Sequence, residues 1–141
     1  MFILRSMRHS NLTFIGLLLL LALCSSPALA QEPVRDPTAI LRSAKVIYVK
    51  SSSLLVGSAV VETKLRKRSE FKQLGLVITR NLEEADLVLE LKHDLFTMYV
   101  YTAIDPRTNI VVASGKLSSL GGTVAGKVAK RFMKQVVQAH A

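Results

Sequence analysis

The chain has 141 residues, half of them apolar, with 19 Lys and Arg against 10 Asp and Glu. Residues 1–30 carry Arg5 and Arg8 and no acid, so residues 31–141 hold 17 cations against 10 anions, a net charge of +7. This balance fits one small globular domain and excludes wholesale disorder and a large multi-step enzyme; a lone cysteine, Cys24, excludes a disulfide framework.

Met1 to Ala30 reads as a secretory signal. Arg5 and Arg8 give a positive start, Phe14 to Cys24 an apolar run, and Pro27 breaks the helix ahead of Ala28-Leu29-Ala30. The small residues in that triplet predict cleavage after Ala30. The apolar run is far shorter than the ~20 residues that span a bilayer, so no transmembrane anchor is expected after cleavage. Leu23 is not small, which argues against lipidation at Cys24. The expected location is the periplasm or the medium, and the released chain lacks any thiol chemistry.

Residues 31–39 contain Pro33 and Pro37 and read as a linker, with one domain over 40–141. Lys45 to Lys50 predicts a central strand buried on both faces. Gly57 to Leu74 reads as one helix, with Val61, Leu65, Phe71 and Leu74 on its apolar stripe and Arg68 bridging it. Gly75 stands where a helix stop wants a residue tolerant of positive φ. Leu76 to Thr79 is a short strand. Asp86 to His93 alternates, with Leu87, Leu89 and Leu91 on the core face and Val88, Glu90 and Lys92 on the other.

Phe96 to Ile104 and Ile110 to Ser118 form a hairpin around the turn Asp105-Pro106-Arg107-Thr108-Asn109, where Pro sets φ and Asp and Asn bond their own backbone. Phe96, Met98, Val100 and Ile104 are taken as the core set of the first of these strands, leaving Thr97, Tyr99 and Tyr101 outside. Gly121-Gly122 is a hinge and Thr123 an N-cap for a helix over 124–139. Val124, Val128, Phe132, Val136 and Ala125, Ala129, Met133, Val137 form its two apolar rows. The order β-α-β-β-β-β-α predicts an α+β two-layer sandwich: a mixed sheet of four to five strands with two helices on one face.

Little in the chain supports catalysis. The candidate bases after residue 30 are His93 and His140, and no three groups of a triad converge. The acids are scattered and there is no His or Cys cluster, so neither a metal nor a cofactor is expected.

Two surfaces remain as candidate sites. The open sheet face, with Tyr99, Tyr101, Thr97, Glu90 and Lys92, is the preferred partner surface, because Tyr gives an interface area at low entropic cost. Its partner is expected to be an envelope protein or a second copy of the chain. The alternative is a basic layer, Lys64, Arg66, Lys67 and Arg68 on one helix with Lys127, Lys130, Arg131 and Lys134 on the other, meeting an anionic polymer or lipid headgroup. Nucleic acid is not an expected partner of an exported chain.

The run Ala44-Lys45-Val46-Ile47-Tyr48-Val49, the segment Ala85-Asp86-Leu87-Val88-Leu89 and the turn Asp105 to Asn109 resemble, in pattern and order, a group of small envelope domains. That group includes the curli-secretion lipoproteins, the penicillin-binding-protein activator lipoproteins and the amino-terminal domain of the Tol–Pal translocation protein. Asn109 stands where the group's turn usually has glycine, and Asn tolerates the same left-handed backbone. The resemblance implies a non-enzymatic module that binds or assembles envelope components. The residue before Cys24 departs from the lipoprotein members.

Overall fold

Five strands join in the spatial order β2-β1-β3-β4-β5. A computed structural model describes residues 35–119 and 123–141; the signal segment, most of the linker and the Gly121-Gly122 hinge lie outside the described residues. β1 (Val46–Ser51) is flanked by two parallel partners, β2 (Val77–Thr79) and β3 (Leu87–His93). β4 (Met98–Ile104) and β5 (Val111–Ser118) continue the sheet as an antiparallel meander. The expected five strands and mixed α+β sheet are both present.

The helical layer is richer than expected. Four α-helices occur among the described residues: α1 (Pro37–Ser43), α2 (Ser58–Arg66), α3 (Ser69–Gln73) and α4 (Val124–His140). α1 begins in the stretch read as linker and runs into the domain. Asp36 caps it by accepting from the Thr38 N–H at 3.0 Å, Pro37 supplies a preset φ in its first turn, and Leu41 is buried. The Arg42 Nε donates to Ala139 O at 2.5 Å and so ties α1 to the end of α4.

The single helix expected over 57–74 is two. The backbone turns extended at Arg68 (φ −75°, ψ 133°), and its guanidinium pairs with Glu70 at 2.9 Å. An unbroken helix would drive that charge into the core along the apolar stripe, at a high desolvation cost. Val61, Leu65 and Phe71 are buried as the stripe predicts. Gly75 has φ +64°, as its place at the helix stop requires.

α4 buries Val124, Ala125, Val128, Ala129, Phe132, Met133, Val136 and Ala139 against α2 and the sheet, whereas Val137 is exposed. Thr123 does not cap it: its backbone is helical, and its hydroxyl meets the Ser119 hydroxyl instead.

Two aspartates fix the lower end of the sheet. Asp86 Oδ2 accepts from the Lys45 and Val46 N–H groups, both at 2.9 Å, and holds the starts of β1 and β3 together. Asp105 accepts from the Arg107 N–H at 2.9 Å and from the Thr108 hydroxyl at 2.7 Å. Asn109 then takes φ +57°, so the hairpin turn closes as its residues predict.

Candidate functional site

The helices cover one face of the sheet. Ile47, Val49, Leu87, Leu89, Leu91, Ala103 and Leu117 are buried there. The opposite face carries no helix among the described residues, and the strand registers lay it out in rows. The first row is Thr79, Tyr48, Val88, Ile104 and Val111. The second is Lys50, Glu90, Thr102 and Ser114, and the third Lys92, Val100 and Lys116.

The face is therefore divided. Its lower half is apolar and aromatic: Tyr48, Val88 and Ile104 are half-buried and Val111 is exposed. Its upper half is cationic: Glu90 lies between Lys50 (3.5 Å) and Lys92 (3.2 Å), and Lys116 stands nearby without a carboxylate partner among the described residues. β1 is thus buried on one face, not on both as its sequence suggested, because Val46 and Tyr48 belong to this open side.

The expected roles of Tyr99 and Tyr101 are corrected. Both are only 1% exposed and belong to the core. Leu91 stands opposite Tyr101 and His93 opposite Tyr99, so the tyrosines share the face of the leucines. Phe96, Met98, Val100 and Ile104 are not the core set: Phe96 is 90% exposed in the turn, and the other three lie on the open side. A one-residue difference in parity exchanges the whole set.

Three contacts hold this register. Phe96 takes φ +48° in the turn, which Asp94 N–H to Met98 O (2.9 Å) closes. Gly115 leaves room for the Tyr101 ring, and the Tyr101 hydroxyl donates to Gln135 Oε1 at 3.1 Å. Burial raises the Tyr101 pKa, an effect that the nearby Arg131 charge opposes. Thr97 lies just before β4 with its hydroxyl 3.2 Å from that of Ser118. Glu90 and Lys92 do stand on the open side, and Tyr48, which the sequence reading placed in a buried strand, joins them there.

The basic residues are less free than a solvated layer would have them. Arg66 pairs with Glu62 at 3.4 Å and Arg68 with Glu70. Along α4, Lys127 Nζ donates to Ser118 O (3.2 Å), Arg131 Nη1 to Lys116 O, and Gln135 Nε2 to Ser114 O (2.9 Å). Side chains four apart on the helix thereby occupy carbonyls two apart on the outer edge of β5, since a helical turn of ~5.4 Å and two strand residues of ~6.7 Å nearly match. Lys64, Lys67, Lys130 and Lys134 are exposed and have no carboxylate partner among the described residues.

His93 Nε2 donates to Phe96 O at 2.5 Å, and its ring stacks on Tyr99 with centroids 4.7 Å apart. His140 Nδ1 donates to Val136 O at 2.9 Å. Both histidines serve local structure. Among the described residues no three His, Cys, Asp or Glu side chains gather as a metal site would require. A small polar hollow of about 100 Å³ lies between Arg35, Asp86, Asp105 and Arg107, but its carboxylates are already engaged by the backbone. Among the described residues no helix is long and apolar enough to cross a membrane.

No family model and no curated protein matches the chain. Among solved structures it is similar to the PelC dodecamer from Paraburkholderia phytofirmans, at 15% identity and a TM-score of 0.42, covering 71% of this chain and 89% of that one. A single-substitution variant of the same dodecamer gives 17% identity and a TM-score of 0.41, covering 68% and 89%.

Proposed function

We propose that the chain is a non-enzymatic envelope module that binds a protein partner through the open face of its sheet. The observation that carries this reading is the row Tyr48, Val88, Ile104 and Val111, an aromatic and three branched aliphatics aligned across four strands with no layer over them among the described residues. An antiparallel face left to water usually carries polar residues, and an apolar row there marks a surface meant to be covered. Tyr48 is the natural anchor, presenting an apolar ring and a hydroxyl at low entropic cost. The charged upper half sets orientation, with Glu90 held between two lysines as the one acid of a cationic rim.

The exported location, with cleavage after Ala30, belongs to this reading, as does kinship with the curli-secretion and penicillin-binding-protein activator group. Both rest on sequence pattern. The basic layer is the weaker reading, because Lys127 and Arg131 are committed to β5 and Arg66 and Arg68 to glutamates.

Val88→Asp with Ile104→Asp tests the face. Both side chains are half-buried and lie outside the core, so the variant is expected to fold and to lose its partner. Partner binding that survives it, with the fold intact by circular dichroism, would refute the assignment.

A further inference from the structure

Among the described residues the four most exposed large apolar side chains lie together. Leu54 is fully exposed, Phe96 90%, Leu55 69% and Leu95 66%, and the next most exposed large apolar residue, Val77, is 56%. All four occupy two loops at one end of the sheet. β1 and β3 run parallel and pair through Ser51 and Leu91, so the loop after β1 and the turn after β3 leave the sheet together. Ser52 N–H donates to Leu91 O at 3.0 Å and fixes the first loop beside the second strand. Isolated exposed leucines are ordinary; the four most exposed apolar residues among those described, gathered on one tip, are not.

Phe96 adds a second, independent observation. It holds φ +48°, a backbone region that bulky residues avoid, although its side chain touches no core. Asn or Gly would fit that turn without strain, so a phenylalanine there sits at a cost the fold does not require. His93 Nε2 donates to the Phe96 carbonyl and braces the turn backbone.

The surrounding charge says what the tip meets. Lys50, Lys92 and Lys116 stand in the rows of the open face nearest this end, against Glu90 and Asp94. Glu90 is already taken up by Lys50 and Lys92. We infer that this end of the domain inserts into the interface of an anionic lipid bilayer, with Leu54, Leu55, Leu95 and Phe96 among the headgroups and upper acyl chains and the lysines on the phosphates. Exposed apolar side chains on two adjoining loops, beside lysines, suit the apolar and anionic layers of a bilayer interface. The apolar row of Tyr48, Val88 and Ile104 lies at the other end of the open face, so the two surfaces share only the cationic upper half.

The chain has no tryptophan, so Phe96→Trp supplies a single reporter. The protein is taken as cells export it from the full-length gene, with every variant checked for the same amino terminus by intact mass. It is mixed with phosphatidylethanolamine–phosphatidylglycerol vesicles or with phosphatidylcholine alone. Blue-shifted emission with the anionic vesicles, quenched by lipids brominated on the acyl chains, is the expected result. Leu54→Ser with Leu55→Ser should weaken partitioning roughly tenfold or more without changing the melting temperature. Phe96→Asn should likewise weaken it while relieving the turn, which separates loss of insertion from loss of fold. Emission unchanged by the anionic vesicles overturns the inference. So does binding that these variants leave intact and high salt abolishes, which would assign the contact to the basic helices.

Discussion

Gly115 is a glycine because Tyr101 fills the place of its side chain. A Cβ there would lie 2.7 Å from the ring Cε1 and the hydroxyl, and the ring is fully buried and anchored on Gln135. Gly115→Ala is expected to lower stability by about 1–3 kcal/mol, as overpacking a fixed core does, measured by chemical denaturation. Tyr101→Ala should cost about 3–5 kcal/mol, whereas a surface tyrosine would cost little. Asp105 gives a pH signature. Burial would raise its pKa, but bonds from the Arg107 N–H and Thr108 hydroxyl and the charges of Arg107 and Arg35 outweigh it, so the net shift is downward from 3.8. Its contribution is therefore present above about pH 4 and lost as pH falls through the lowered value. Asp105→Asn should be less stable than wild type at neutral pH, and the gap should narrow in urea melts at about pH 3. Much at this scale was legible: Gly75, Asn109 and Asp105 take the roles their chemistry suggests. The tyrosines were not, since parity along β4 depends on how many residues the turn at Phe96 consumes.

At the scale of elements, the chain order of strands, the meander and the buried rows of α4 follow from periodicity alone. Two helical details do not. Pro37 resembles a linker residue until Asp36 is seen as its cap, and the break at Arg68 comes from a charge that no unbroken helix could place. The third unread feature is the ladder from α4 to β5. Single-residue patterns mark Lys127, Arg131 and Gln135 as solvated, and only the fold sets them on the carbonyls of Ser118, Lys116 and Ser114. An eight-residue edge strand with free carbonyls is a template for another strand, and this ladder occupies it. Replacing all three by Ala is expected to produce concentration-dependent association in light scattering beyond that of wild type, with little change in helix content. An unchanged scattering profile would mean the ladder only stiffens the helix.

At the scale of the whole molecule, the sheet divides labour between its faces. One carries the helices and the core; the other shows an apolar lower half under a cationic upper half. Strand alternation predicts an open face, but its aromatic is Tyr48 and neither Tyr99 nor Tyr101, because Tyr48 sits in a run apolar enough to read as buried. We propose that a protein partner sits on this face. The most direct measurement is site-specific photo-crosslinking in cells that export the full chain, with a photoreactive residue in place of Tyr48, Val100 or, on the helical side, Lys64. Protein adducts from Tyr48 and Val100 and none from Lys64 are the predicted result, and an adduct at a multiple of the chain's own mass would identify the partner as a second copy. Adducts from Lys64 alone would contradict the account and move the function to the helices.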